Sequence, residues 1–191
     1  MPISLALFIC GSLPDTLRQD PEYDGYAEVF SRFLQKSISN DTVFTLHAYD
    51  VVEKREYPPA DNLDSYDGII LTGSGGCQCL LDPAGPNLCR TAASAYENVP
   101  WINELVKYIG NVVETKPQIR IIGTIAPVTN FSILTWSLVG ICFGHQIIAR
   151  ALGGECIRRS WEVGPTILHL TDFGKTLLGV EEDTLVCSSR R

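Results

Sequence analysis

The residues best suited to chemistry lie in one short segment, GICFGHQ at 140–146, which follows an apolar run and opens a predicted helix. Its cysteine, Cys142, has Gly140 two residues before it and Gly144 two residues after it. A nucleophile on a sharp strand-to-helix turn needs small neighbours at these places, because the backbone there is tightly bent. A helix that starts near Phe143 also favours a thiolate and an adjacent oxyanion, since its first N–H groups are free and its dipole is positive there. The segment therefore predicts a cysteine that attacks a carbonyl and forms a thioester. Taken alone, the pattern is equally compatible with a small buried cysteine in a glycine-rich turn.

Regularly alternating strands and helices are predicted on either side of this turn, and they must position it. Apolar runs predict strands at 3–10, 42–49, 68–72, 118–122, 155–158 and 166–171, and helical periodicity predicts helices at 23–38, 97–113 and 145–152. Such alternation predicts a single α/β domain over 1–191, with a mostly parallel sheet that helices cover on both faces. Ligands of such folds bind outside the carboxyl ends of the strands. The segments TGS at 72–74 and GICFGH at 140–145 both lie at such ends.

The composition of the chain excludes several classes of protein. Its 191 residues are 45% hydrophobic with a net charge of −7 and no basic run, which argues against nucleic acid and membrane as main partners. Seven irregularly spaced cysteines and the lack of a signal peptide pattern predict a cytoplasmic protein with reduced thiols. No cofactor or metal is predicted, because Cys77, Cys79 and Cys89 lack both a nearby histidine and the spacing of a zinc site.

Longer stretches of the chain resemble the class I glutamine amidotransferases. GICFGHQIIARALGG is similar to their nucleophile elbow, G-x-C-x-G-x-Q followed by a small-residue helix and Gly-Gly. GIILTGS resembles their strand and oxyanion loop, SAYENVPWINELVKYI the next helix, and WEVGPTILHLTDFGKTLLG later strands. The resemblance covers most of the chain and is nearest to stand-alone members, some of which hydrolyse γ-glutamyl amides or peptides. It implies a three-layer, flavodoxin-like fold that is incomplete at its C-terminus.

The resemblance also implies roles for individual residues. Cys142 is the expected nucleophile, and the backbone N–H of Phe143, with that of Gly73 or Ser74, is the expected oxyanion hole. Gln146 is expected to help hold a small-molecule substrate, glutamine or a γ-glutamyl compound. Whether a synthase partner receives the ammonia is left open. The adjacent His145 is not the base of this family, and we interpret it as a helix-start residue fixed by local hydrogen bonds.

The catalytic base of the family has no counterpart in the chain. That base lies downstream of the cysteine in an H-x-E or H-P-E-F segment, whereas none of His47, His145 and His169 is followed by x-Glu. We therefore expect no useful turnover from this chain, or alternatively a non-catalytic binding or regulatory module on the same fold. A cysteine redox or glyoxalase-type protein, with Glu22 or Asp24 as the acid, is a further alternative that the GHQ sequence does not favour.

Two stretches, 75–93 and 124–140, interrupt the family pattern and are expected to be insertions. Without residues 124–140, the chain reads QIRIIGICFGHQ, one strand that runs directly into the elbow. With them, either QIRII stays the central strand or SILTWSLVG replaces it. The tail VCSSRR shows no strand pattern. One explanation is that two short introns are translated and the C-terminus is lost to a frame shift. The other is a real isoform whose insertions act as lids or contacts, and the transcript sequence distinguishes the two.

Overall fold

A computed structural model describes most of the chain, and the described residues form two compact units. The described residues are 2–13, 24–38, 42–74, 93–123, 138–140, 143–157, 165–169, 172, 175, 181 and 183–188. The first unit spans Met1–Cys156 and the second spans Ile157–Arg191. That the chain forms one domain stays a prediction, and each unit is described by itself.

The first unit contains a parallel sheet of five described strands. In chain order these are β1 (Ile3–Ile9), β2 (Phe44–Asp50), β3 (Gly68–Leu71), β4 (Arg120–Gly123) and β5 (Leu138–Gly140). Their order across the sheet is β2-β1-β3-β4-β5, and every pairing is parallel. Both alternatives for the strand before the elbow, QIRII and SILTWSLVG, therefore contain a strand, with β4 inside the sheet and β5 at its edge.

Helices pack on both faces of this sheet, as the sequence predicts. The helical segments are α1 (Tyr26–Ser37), a 3-10 helix (Ala60–Ser65), α2 (Pro100–Thr115) and α3 (Phe143–Ala151). Because successive side chains of a strand point to opposite faces, β1 contributes to two separate cores. Leu5 and Leu7 pack with α1, whereas Ala6 and Phe8 pack with α2 and α3. The α/β fold with a parallel sheet between helices is confirmed.

Helix α2 begins three residues later than the periodicity predicts, because residues 94–97 form a turn of their own. The Ser94 N–H donates to the Glu97 carboxylate at 3.2 Å, and the Glu97 N–H donates to the Ser94 carbonyl at 2.8 Å. Pro100 then takes the first helical position, where its missing N–H costs nothing.

The second unit contains an antiparallel pair of strands, β6 (Pro165–His169) and β7 (Thr184–Ser188). The expectation that the tail has no strand is wrong, because Val186 and Cys187 pair with Ile167 and Thr166. The predicted strand at 155–158 is also wrong over residues 155–157, which are irregular. In the described part of the chain, no helix combines the length and the apolar character that crossing a membrane requires.

The paired glycines that close α3 have a direct structural reason. Gly153 has a φ of 85°, a left-handed conformation that other residues adopt only with strain. A Cβ on Gly154 would meet the Ala149 carbonyl oxygen at 2.8 Å, because the Gly154 N–H donates to that oxygen at 2.8 Å. The Gly-Gly of the elbow motif is therefore a helix C-cap.

We predict that Gly153→Ala lowers the free energy of unfolding by about 1–2 kcal/mol, because alanine is strained in the left-handed region. The control is Gly25→Ala, where the backbone is extended and an added Cβ meets nothing within 4 Å. Urea unfolding followed by circular dichroism compares the two. Equal losses for the two variants would contradict this explanation of the C-cap.

Candidate functional site

The first part of the candidate site is the turn that follows β3. Thr72 is fully buried, and its hydroxyl accepts the Cys10 N–H at 2.9 Å and donates to the Gly73 carbonyl at 3.1 Å. The Thr72 N–H donates to the Phe8 carbonyl at 3.0 Å, so it is not free to bind a ligand. An oxyanion donor from this turn must therefore come from the next residues, Gly73 or Ser74, as the resemblance implies.

Beyond this turn the chain returns to the site at residues 93–98. The Ser74 hydroxyl donates to the Ala93 carbonyl at 3.0 Å, which joins the two segments. This contact uses the side chain of Ser74, so a catalytic part for that residue would rest on its backbone N–H. The insertion predicted at 75–93 lies outside the described residues except for Ala93.

The second part of the candidate site is the start of α3. Phe143, the first helical residue, is buried and packs on Trp101 of α2, with ring centroids 5.7 Å apart. Ile147 and Ile148 are buried on the same side. This packing fixes the beginning of the helix, whose first N–H groups have no partner within the helix itself.

His145 and Gln146 are both exposed on the first turn of α3. The local hydrogen bonds expected of His145 stay a prediction, because residues 141–142 before the helix lie outside the described residues. Gln146 is exposed rather than packed in the core, and its contact with a substrate stays a prediction. The predicted nucleophile, Cys142, lies outside the described residues.

The strand order places β4 between the two halves of the predicted oxyanion hole. Leu71 is level with Gly123, and Gly123 is level with Gly140. Since neighbouring strands lie about 4.8 Å apart, the ends of β3 and β5 are separated by about 10 Å. Two N–H groups that each lie about 3 Å from one oxygen are at most about 6 Å apart. The N–H groups of Gly73 and Phe143 can share an oxyanion only if one of the connecting turns crosses the end of β4.

Cys10, which follows the carboxyl end of β1, is not a competing nucleophile. Its side chain is fully buried, and burial raises the pKa of its thiol well above the usual value, although hydrogen bonds to Thr72 oppose the shift. A thiol that stays protonated and inaccessible neither attacks a carbonyl nor reacts with solutes.

The two remaining histidines lie on strands. His47 is exposed on the edge strand β2 and contacts the ring of Tyr66 edge-on at 5.6 Å. His169 ends β6 in the second unit, at the strand position that the sequence predicts. Neither has the x-Glu that accompanies the family's base.

The sequence analysis did not identify Arg150, whose side chain makes several hydrogen bonds. From the last turn of α3, its guanidinium donates to the carbonyl oxygens of Ala95 and Glu97, the second at 3.1 Å. It also donates to the side-chain oxygens of Asn98 at 2.9 Å and Asn103 at 3.5 Å. Arg150 therefore links α3 to residues 93–98, the segment that Ser74 contacts through Ala93. The only signal in the sequence is an arginine inside a helix of small and apolar residues.

Comparison with known proteins finds curated relatives of one kind. The chain is 28% identical over 163 residues to a "putative glutamine amidotransferase-like protein" of Schizosaccharomyces pombe, covering 82% of this chain and 52% of that protein. It is 29% identical over 136 residues to a "putative glutamine amidotransferase" of Saccharomyces cerevisiae, covering 69% of this chain and 41% of that one. It is 26% identical over 145 residues to gamma-glutamyl peptidase 4 of Arabidopsis thaliana, covering 76% and 41%. No family model and no solved structure matches.

These relatives support a place for the chain among the stand-alone class I glutamine amidotransferase-like proteins. The chain spans about half the length of the curated relatives it matches, or somewhat less. The turn after β3 and the start of α3 are the two places that the resemblance assigns to the reacting carbonyl. The described residues show both places well supported by packing and hydrogen bonds, with an additional strand end between them.

We predict that Arg150→Met lowers the free energy of unfolding of the amidotransferase-like domain by about 2 kcal/mol, because it leaves the partly buried carbonyl oxygens of Ala95 and Glu97 without this donor. The control is Arg32→Met, since the Arg32–Glu28 pair on α1 is half-exposed and i,i+4 pairs on a helix contribute about 0.3–0.5 kcal/mol. Urea unfolding measures both. An Arg150→Met variant as stable as Arg32→Met would show that the hydrogen bonds of Arg150 do not stabilise the domain.

Proposed function

We propose that this domain carries an acylating cysteine that recognises glutamine or a γ-glutamyl amide or peptide, and that the 191-residue chain does not turn these substrates over. The observation that supports the proposal is the strand order, in which β4 lies between β3 and β5, the strand that precedes the elbow helix. The family relationship supports the substrate class, since the relatives are named as glutamine amidotransferases or a γ-glutamyl peptidase.

The chemistry begins with the thiolate of Cys142. Its sulfur attacks the carbonyl carbon of the side-chain amide, and the carbonyl oxygen takes up the negative charge. When the C–N bond breaks, ammonia or an amine leaves with a proton, and a γ-glutamyl thioester remains on sulfur. Water then attacks the thioester, releases glutamate and returns the thiol. N–H groups from Gly73 or Ser74 and from Phe143 would stabilise the oxyanion in both stages.

Two features of this chain oppose completion of the cycle. The leaving amine needs a proton from a positioned histidine, and no His in the chain has the x-Glu that accompanies the family's base. Loss of a catalytic triad's base lowers the rate by about 10⁴–10⁶-fold in related cysteine and serine chemistry. Unless a connecting turn crosses the end of β4, the two oxyanion donors are also too far apart for an interaction that is made only in the transition state.

A non-catalytic module is the second candidate, and the same strand order favours it. A binding site for a γ-glutamyl group needs polar contacts around the substrate but does not need two donors on one oxygen. Exposed Gln146 is suited to such a contact. In both candidates the ligand is a small molecule, with no nucleic acid, membrane or cofactor involved, and whether a synthase partner exists stays open. The free thiols of Cys10 and Cys156 suit the reducing cytoplasm.

We predict that the purified chain releases no more ammonia from glutamine, and no more amino acid from a γ-glutamyl dipeptide, than its Cys142→Ser variant. Coupled glutamate dehydrogenase and amino-acid analysis measure the two products. Turnover that depends on Cys142 would contradict the proposed arrest of the cycle.

Intact mass after incubation separates the two candidates. A γ-glutamyl adduct supports the arrested nucleophile, whereas calorimetric binding without an adduct supports the binding module.

A further inference from the structure

Strand β2 lies at one end of the sheet, and no described strand pairs with its outer edge. The Ile3 N–H donates to the Val43 carbonyl at 2.8 Å, so Val43 and every second residue after it direct their backbone groups toward β1. The alternate residues, Phe44, Leu46 and Ala48, therefore direct their backbone groups away from the sheet. Each of them presents one N–H and one C=O at the outer edge, where an added strand would bind.

The sequence of β2 does not protect this edge from pairing. Phe44–Asp50 contains neither proline nor lysine, the residues with which natural sheets often block an edge. Only its C-terminal end is closed, because the Asp50 carbonyl accepts the Glu56 N–H at 3.0 Å. The part of the edge that is available for pairing is therefore 44–48.

Helix α1 leaves room beside this edge. Its buried residues form a core with Leu5 and Leu7 of β1 and Ile70 of β3, and β2 lies at the border of that core. A groove of about 590 Å³ remains between the helix and the strand, with Gln35 on one side and Leu46 on the other. Two copies joined at β2 would hold their α1 helices at least three strand spacings apart, about 14 Å, whereas helices in contact are about 8–10 Å apart. The helices would therefore not collide.

We propose that the outer edge of β2 is a self-association surface, on which a second copy of this chain adds its own β2 in antiparallel orientation around Leu46. This register pairs Leu46 with Leu46 of the second copy and Phe44 with Ala48 of the second copy, so every outward backbone group of 44–48 has a partner. The side chains match as well, because the large Phe44 faces the small Ala48. Val43, which is 66% exposed in the single chain, faces Tyr49 of the second copy in a β-branched and aromatic pair.

The composition of the edge favours a second copy as the occupant. No Asp, Glu, Lys or Arg lies in 42–49, so two copies meet there without like charges facing each other, although each carries a net charge of −7. A register shifted by two residues would place Phe44 opposite Asp50, whose carbonyl is already bound to the Glu56 N–H. A two-fold axis through the Leu46 pair also closes the assembly at a dimer, because it uses both outer edges.

We predict that the full chain forms a dimer of twice its 21.0 kDa at about 100 µM in sedimentation equilibrium. Ala48→Lys should raise the dissociation constant about tenfold or more, because the lysine would face Phe44 of the second copy. Ala48 is exposed in the single chain, so the new side chain does not enter the core. The control is Asn111→Lys, the same change of charge at an exposed position of α2. A chain that stays monomeric, or equal dissociation constants for the two variants, would overturn the proposal.

Cysteine pairs test the register. In the proposed dimer, exposed Thr45 lies opposite His47 of the second copy with Cα atoms about 4.5 Å apart, within the range of about 4.4–6.8 Å that a disulfide needs. A mixture of Thr45→Cys and His47→Cys chains in a glutathione redox buffer should form the mixed disulfide, which peptide mass spectrometry identifies. Neither variant should form a disulfide at its new cysteine when it is alone. A disulfide between two copies of one variant would show a different register and would contradict the pairing around Leu46.

Discussion

The hydrogen-bonded pairing of β4 with β3 on one side and β5 on the other determines how this domain is built around its candidate site. Backbone hydrogen bonds fix neighbouring strands about 4.8 Å apart, a spacing that side chains cannot alter. The turn after β3 and the elbow after β5 are consequently held at a distance set by the sheet itself. For the oxyanion hole that the resemblance implies, this distance limits whether two backbone N–H groups can stabilise the same developing charge.

The surrounding packing supports each half of the site separately. Thr72 and Ser74 fix the turn after β3 through hydrogen bonds to the C-terminal end of β1 and to Ala93. Trp101 and Arg150 fix α3 through contacts with α2 and the segment before it. Because each half has its own contacts, the distance between the turn after β3 and the start of α3 depends on how far from β3 the strand before α3 lies.

Much of this architecture is predictable from the sequence, and the failures have identifiable physical reasons. Buried strands such as β1 and β3 are continuous apolar runs, and α2 and α3 have clear helical periodicity, so local pattern alone identifies them. The final strand β7 was missed because it pairs only with β6 and its five residues include little alternation. The contacts of Arg150 were missed because its partners lie 47–55 residues earlier in the chain.

The site residues stay predictions, because Cys142 lies outside the described residues. The sequence predicts an elbow, an oxyanion turn after β3 and the lack of the family's base, since each of these depends on residue types at fixed spacing. It offers two arrangements for the strands before the elbow and cannot choose between them, because strand neighbours are set by tertiary pairing. The structure keeps both strands and places them side by side.

The most direct test of this account is a set of nuclear Overhauser contacts between backbone protons in the isotope-labelled full chain. The account predicts that Ile122 shows cross-strand contacts with Ile70 on one side and with Val139 on the other. Direct contacts between Val139 and Ile70, with Ile122 outside the pair, would place the elbow strand beside β3 and would contradict the account.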